Sequence, residues 1–125
     1  MSRLADRTEV LLRQVHPTWR NDDGTVTRQV FKPTPKDEGR LSVDRSSKIS
    51  AEAAFDAHQQ LGSSTMVLGV AVGEIDDSGS SAYDDPVADK PAHAYIDFTG
   101  LARKQVDGLA AQLRDFAVVR GVLHP

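Results

Sequence analysis

The run from Met66 to Ile75, MVLGVAVGEI, constrains the fold of this chain more than any other segment. Apolar side chains stand at both alternating positions along it, which is typical of a strand with two buried faces. Gly69 and Gly73 weaken a strand, so we expect a bulge or a close approach of another group to the backbone there. The segment therefore predicts a central strand of a β-sheet.

Three helices are predicted around this strand. Residues 4–15 carry apolar side chains at helical spacing, and Glu9 precedes Arg13 by four positions in the favourable order. Ser50 is a good N-cap for a second helix. Residues 101–120 carry an apolar stripe that stops before Gly121, which predicts the last helix.

Further strands are predicted at 25–31, 41–43 and 93–98, with a turn over 21–24 and a long loop over 76–91. The resulting order, α-β-β-α-β-β-α, favours the α+β class. We expect a mainly antiparallel sheet of about four strands, with two to three helices packed on one face. A chain of 125 residues fits a single globular domain over 1–125.

The composition excludes several classes of protein and site. Cysteine is absent, so disulfides, thiolate metal sites and a cysteine nucleophile are excluded. The charged N-terminus lacks the apolar core of a signal peptide, and no apolar run approaches the roughly 20 residues that span a bilayer. We therefore expect a cytoplasmic protein without a membrane partner. The phosphate-loop, dinucleotide-binding and zinc-protease motifs are missing, so no cofactor and no metal is expected.

Charge is unevenly divided along the chain, whose net charge is −3. Residues 1–48 carry ten Lys or Arg against seven Asp or Glu, a net charge of +3. Residues 49–125 carry five against eleven, a net charge of −6. An anionic ligand would more readily meet the first part, although the overall negative charge gives nucleic-acid binding only weak support. The alternative is that the two parts attract each other across the fold.

The segment from Phe31 to Arg45, FKPTPKDEGRLSVDR, combines prolines, a charged turn and a short apolar strand. Its turn is a candidate recognition loop, in which Lys36 is available to hold an anion. Arg40 and Arg45 flank the predicted strand, where each guanidinium can bind a carboxylate or phosphate bidentately. The alternative is a well-made turn with local ion pairs, each worth at most about 1 kcal/mol at the surface.

Alternation along residues 93–98 places His93, Tyr95 and Asp97 on one face of a strand. Histidine is the side chain best suited to proton transfer near neutral pH, and a carboxylate such as Asp97 can orient its partner. The three side chains therefore predict a proton-transfer site. The alternative is the solvated outer face of a sheet strand.

His16 is a candidate for a second general acid or base. Paired with His93, and with Arg28 or Lys36 holding the anion, it would suit phosphodiester cleavage or another phosphoryl reaction. The alternative is that His16 ends the first helix, where its protonated side chain would interact favourably with the negative end of the helix dipole.

Three segments carry a resemblance to known proteins: FKPTPKDEGRLSVDR, PAHAYIDF at 91–98 and AVVRGVLHP at 117–125. Together they resemble a pattern found in small uncharacterised bacterial proteins. The resemblance covers most of the chain from His16 onward. It implies a bacterial, single-domain protein, and it carries over neither an activity nor a site residue.

These observations leave three hypotheses about function. The first is a binding or accessory protein that acts through a protein partner, with Trp19, Phe31, Pro33 and Arg40 as contact anchors. Its full set of candidate binding residues is Trp19, Arg28, Phe31, Lys36, Arg40 and Arg45. The second is a small enzyme acting on a phosphate-containing substrate or RNA, with His16, His93 and Asp97 as catalytic residues. The third is a structural subunit of a larger assembly, which predicts an exposed apolar patch.

Overall fold

A five-stranded antiparallel sheet organises the computed structural model, which describes residues 2–60 and 62–125. The strands are β1 Val10–Gln14, β2 Arg40–Arg45, β3 Val67–Ala71, β4 Ala82–Asp84 and β5 His93–Asp97, in the order β3-β1-β2-β5-β4. The helices are α1 Ala51–Gln59, α2 Val72–Asp77 and α3 Arg103–Arg120, and three short 3-10 helices span Pro17–Trp19, Arg28–Phe31 and Pro35–Asp37. The predicted α+β class is confirmed, with five strands where about four were expected.

Helices lie on both faces of the sheet. α3 packs on the main core, in which Leu113 joins Leu11 and Leu68. α1 begins after Ser50, whose hydroxyl accepts from the Ala53 amide as predicted, and it packs on the opposite face against Leu12. The expectation of helices on one face therefore holds for α3 and not for α1. β1 and β3 carry apolar side chains on both faces, and a helix buries each face. None of the helices within 2–60 and 62–125 has the length and apolar character that a membrane crossing requires.

β3 stands at one end of the strand order, although its sequence predicts a central strand. Its two faces are covered by α1 and α3, and its outer edge is paired by the C-terminal segment. The Leu123 amide donates to the Val67 carbonyl at 2.9 Å, and the Val67 amide donates to the His124 carbonyl at 2.8 Å. The strand ends at Ala71, where the Glu74 side chain accepts from the Ala71 amide and starts α2. The prediction of a strand over 72–75 is therefore wrong.

The helix predicted over residues 4–15 is also wrong, since Val10–Gln14 form β1. The apolar residues of this segment satisfy a period of two as well as the helical period, and pairing with β2 and β3 selects the strand. The Glu9 carboxylate pairs with Arg45 of β2 rather than with Arg13 four positions ahead. Tertiary contacts thus override the local pattern.

The strand predicted over residues 25–31 is replaced by the 3-10 helix Arg28–Phe31, which turns Val30 and Phe31 into the core. The predicted turn before it is confirmed, because Gly24 has a φ of 87° and the isolated bridge from Arg20 to Val26 closes it. The long loop expected over 76–91 holds the end of α2 and the strand β4, which pairs with β5. A three-residue strand gives too short a pattern for sequence alternation to show.

Candidate functional site

One half of the sheet has no helix over its second face. α1 lies over β1, and on that side β2, β5 and β4 carry a set of polar and aromatic side chains that we call the open half-sheet. The open half-sheet comprises Arg40, Ser42, Asp44, Tyr83, His93, Tyr95 and Asp97. The predicted alternation in β5 is present, since Ala94 and Ile96 point into the core on the other side.

Strand register sets these side chains in rows across the sheet. Asp44 is directly opposite His93, and Ser42 is directly opposite Tyr95. Tyr83 of β4 continues the second row, because it pairs with Tyr95. Side chains opposite each other on one face of an antiparallel pair lie about 5 Å apart at Cβ, so each row forms a continuous contact surface.

His93 is held through both ring nitrogens. Its Nδ1 lies 2.9 Å from the Asp85 carbonyl oxygen and 3.3 Å from the Asp85 carboxylate. Its Nε2 lies 3.2 Å from the hydroxyl of Ser42. A carbonyl oxygen only accepts, so Nδ1 carries a proton, and in the tautomer protonated only there Nε2 has a lone pair that can accept from the Ser42 hydroxyl.

A cavity of about 480 Å³ lies beside His93, between α1 and the strands β1, β2 and β5. We call it the α1 cavity; its polar wall includes Gln14, Ser42, Asp44, His58, Lys90 and His93. Both side-chain amide atoms of Gln14 are buried and have no hydrogen-bond partner among the residues that the structure describes. A partly open cleft of this size with converging polar groups is typical of a small-molecule pocket.

Two acid–base groups of the α1 cavity are perturbed. Burial raises the pKa of the Asp44 carboxyl, against the charges of His93, Lys90 and His58. Burial also lowers the pKa of the His58 imidazole, with Lys90 acting in the same direction and Asp44 opposing. Both pKa shifts stabilise the neutral form relative to the charged one, and such perturbed groups cluster at functional sites.

A second feature of the open half-sheet is a cation stacked on aromatic rings. The Arg40 guanidinium lies 5.1 Å from the centroid of the Tyr95 ring, and Tyr83 stacks on Tyr95 at 5.3 Å. Tyr95 is only 7% exposed, whereas Arg40 is exposed. Among the residues that the structure describes, no carboxylate pairs with Arg40. The guanidinium thus lies over the Tyr95 ring of this stack on an exposed residue.

The turn before Arg40 is rigidly built, as the density of turn-forming residues predicts. The Asp37 carboxylate accepts from the Thr34 amide at 2.6 Å and from the Thr34 hydroxyl at 2.9 Å. Glu38 has a φ of 53°, and a side chain at Gly39 would meet Thr99 at 2.9 Å. Glu38 is the one non-glycine residue with a positive φ among the described residues, so the turn holds it in a sparsely populated conformation.

Of the three predicted catalytic residues, only His93 lines the α1 cavity. His16 caps the 3-10 helix Pro17–Trp19 by accepting from the Thr18 amide, and its ring packs on Trp19. The second imidazole lining the α1 cavity is that of His58, not of His16. Asp97 accepts from the amide and hydroxyl of Thr99, about 13 Å along β5 from His93 at the usual rise of a strand.

The predicted binding residues divide into internal and exposed groups. Phe31 is 0% exposed, so no partner reaches it in this structure. Arg45 pairs with Glu9 and Asp84, and Arg28 pairs with Asp107 of α3 at 3.8 Å.

Trp19 is half-buried beneath the Arg13 guanidinium, which lies 5.3 Å from its ring, and Pro33 is also half-buried. Lys36 and Arg40, four positions apart in the chain, are both exposed. These two cations are therefore the predicted residues best placed to contact a partner.

An apolar groove of about 1000 Å³ lies on another side of the molecule, between the end of α3 and the turn over 21–24. Val118, Val119 and Val122 line it and are strongly exposed, Val119 to 88%. This is the kind of patch that the structural-subunit hypothesis predicts.

Sequence reasoning missed Ser42, Asp44, His58, Asp85 and Gln14 as site residues. The chain contains no Gly-x-Ser-x-Gly motif that would mark a serine nucleophile. The one available signal was the alternation in β2, which puts Ser42 and Asp44 on a common polar face. That this face meets His93 depends on the pairing of β2 with β5, which short segments do not reveal.

Comparison with protein-family models, curated proteins and solved structures gives no match for this chain. Among residues 2–60 and 62–125, no group of three or more His, Asp or Glu side chains is arranged to hold a metal ion.

Proposed function

We propose that this chain is a small binding or accessory protein that acts through a protein partner. The observation that carries the proposal is the exposed Arg40 guanidinium held over the Tyr95–Tyr83 stack. Together with the exposed Lys36 and Glu38 of the preceding turn, these side chains form what we call the Arg40 surface. Arginine and tyrosine are the residue types that most often dominate interface energetics.

The rigidity of the Arg40 surface supports this role. The turn is closed by Thr34 and Asp37, and the guanidinium is positioned by an aromatic ring. A surface that is already ordered loses little conformational entropy on binding, so more of the contact energy appears as affinity. The strained backbone at Glu38 is of the kind that persists where the surrounding structure enforces it, and such positions cluster at ligand contacts.

The chemistry of the surface indicates the kind of group that the partner presents. Arg40 is exposed and forms no ion pair among the described residues, and a guanidinium binds a carboxylate bidentately. Lys36 adds a second cation two positions before Glu38. We therefore propose a protein partner that inserts an acidic side chain beside Tyr95 and Tyr83.

The test is capture of partners from a nuclease-treated bacterial lysate by the tagged protein. We expect the double variant Lys36→Ala/Arg40→Ala to lose a discrete protein partner by at least tenfold, since both cations of the surface are removed. The matched control is Lys104→Ala, which removes an exposed cation from α3. Undiminished capture by the folded double variant, or equal loss with Lys104→Ala, would exclude the Arg40 surface as the binding site.

A further inference from the structure

The arrangement of Ser42, His93 and Asp85 is that of a nucleophile, a base and a group that orients the base. The Ser42 hydroxyl lies 3.2 Å from His93 Nε2, while Nδ1 is held by both the carbonyl and the carboxylate of Asp85. Asp85 thereby selects the tautomer in which Nε2 accepts the hydroxyl proton. Nucleophile, base and orienting group are recognised by these contacts, whatever their order in the chain.

Position in the fold makes the serine accessible to a substrate. Ser42 is exposed on the open half-sheet and also lines the α1 cavity, so a molecule in the cavity meets its hydroxyl. β2 and β5 hold Ser42 and His93 on adjacent strands, and rigid strands position reacting groups better than loops do.

Developing negative charge on a reacting carbonyl needs a donor other than the strand backbone. The carbonyl and amide groups of β2 are engaged in the ladder, and the Ser42 carbonyl also accepts from Arg13. Gln14 offers an alternative donor. Leu12 is opposite Asp44 in the antiparallel pair of β1 and β2. Extending this register by two residues sets Gln14 opposite Ser42. Its buried side-chain amide lacks a partner among the described residues, so its N–H groups are available to an oxyanion.

From these contacts we infer that the α1 cavity is an acyl-transfer site that hydrolyses small carboxylic esters, with Ser42 as nucleophile and His93 as general base. This activity is independent of the Arg40 surface and of the partner proposed for it. Gln14 is the oxyanion donor, and Asp85 is a positioning residue that acts through His93.

The chemistry balances without any group beyond the ester and water. The Ser42 oxygen forms a bond to the carbonyl carbon while its proton moves to His93 Nε2, and the carbonyl electron pair moves onto oxygen. Return of that pair breaks the bond to the alcohol, which leaves with the proton from Nε2. Water then attacks the acyl-serine with the same base, releasing the carboxylic acid and restoring Ser42.

The walls of the cavity indicate the acyl group. Apart from its polar groups, the α1 cavity is lined by the aliphatic side chains of Leu12, Ile49, Ala54, Ala57 and Pro91. Its volume of about 480 Å³ suits a small ligand. The substrate class is therefore an ester of a short aliphatic acid.

The test uses the purified full chain, p-nitrophenyl butyrate and a fluorophosphonate probe. We expect one probe adduct per chain, mapped to Ser42 by peptide mass spectrometry, and butyrate hydrolysis that Ser42→Ala abolishes. His93→Gln should lower the labelling rate at least 100-fold, and Gln14→Leu should lower kcat by a similar factor. The matched control is Ser46→Ala, which alters another exposed serine beyond β2 and leaves both rates unchanged.

The role of Asp85 is tested separately, because His93 variants risk disturbing β5. Asp85→Asn keeps the backbone carbonyl contact and removes the carboxylate, so we expect kcat to fall about tenfold with KM and the thermal midpoint unchanged. Absence of labelling in the native chain, labelling at a serine other than Ser42, or labelling unaffected by His93→Gln would each overturn the inference.

Discussion

At the residue scale, the most constrained side chain outside the candidate sites is Glu9. It is 7% exposed and accepts hydrogen bonds from Arg45 at 2.9 Å and from the Ser47 hydroxyl. Burial acts to raise the pKa of Glu9, but the hydrogen bonds and charge of Arg45 together with Ser47 outweigh it and hold the pKa below its usual range. Arg45 also reaches Asp84, so this cluster joins β2 and β4 to the residue that precedes β1.

Replacing Glu9 with Gln leaves the Arg45 cation without its main partner. We expect Glu9→Gln to lower the free energy of unfolding at pH 7 by about 3 kcal/mol, the usual effect of breaking a buried pair on one side. A carboxyl with a lowered folded pKa stabilises above its unfolded pKa of about 4.3 and loses that stabilisation as the pH falls through its folded value. The difference between parent and variant should therefore shrink below about pH 4.

Urea unfolding of both proteins from pH 7 down to pH 3 measures this effect. The control is Asp115→Asn, which removes an exposed ion pair with Arg114 and should change stability by less than about 1 kcal/mol. A Glu9→Gln loss that stays constant over this pH range would contradict the electrostatic explanation.

At the scale of elements, the close approach expected at the glycines of β3 and α2 is present. A Cβ atom on Gly69 would lie 2.6 Å from Val10 Cγ1 and 2.7 Å from Leu123 Cδ1. A Cβ atom on Gly73 would lie 3.1 Å from the Arg7 carbonyl oxygen. The first contact lets the C-terminal segment lie on β3, and the second lets the chain before β1 pass over α2.

We expect Gly69→Ala to lower the free energy of unfolding by about 1–3 kcal/mol, because the added methyl group overpacks Val10 and Leu123. Gly108→Ala is the matched comparison: this exposed glycine of α3 has no atom within 4 Å of its ideal Cβ. There, alanine should stabilise by about 0.5–1 kcal/mol. Thermal and urea unfolding measure the change in the free energy of unfolding of each variant. A neutral or stabilising Gly69→Ala would show that the C-terminal segment does not pack tightly on β3.

At the scale of the whole molecule, both edges of the sheet are covered by the ends of the chain. The Leu4 amide donates to the Ala82 carbonyl, and the Asp84 amide donates to the Ser2 carbonyl, so residues 2–4 pair with β4. Leu123 and His124 pair with β3 at the opposite edge. Covered edges remove the unpaired backbone groups that otherwise recruit a strand from another molecule.

Deleting residues 122–125 should uncover the edge of β3. We expect a lower thermal midpoint, because the deletion removes two backbone hydrogen bonds and the contact of His124 with Phe55 at 4.7 Å. We also expect association that grows with concentration, since the exposed edge pairs with other copies. Size exclusion with light scattering, from micromolar to millimolar protein, measures this association. The control is Val122→Ala, which shortens one exposed side chain of the segment and keeps the backbone pairing. A monomeric deletion variant with an unchanged midpoint would show that this pairing is dispensable.

The sequence alone determined the features that short segments specify by themselves. Ser50 caps α1, the apolar stripe defines α3, and alternation sorts the two faces of β5, because caps, helical periods and strand periods are properties of neighbouring residues. The order-forming turn before Arg40 belongs to the same group. Its prolines, Asp37 and Gly39 act within a few positions of one another.

Only the tertiary structure decided the rest. Residues 10–14 became a strand because β2 and β3 supply backbone partners, and 28–31 became a 3-10 helix because Val30 and Phe31 are buried against α3. The candidate site arises in the same way, since Ser42 and His93 stand 51 positions apart and meet through the register of β2 on β5. Register is set by the packing of both sheet faces and by distant strands, so no local pattern contains it.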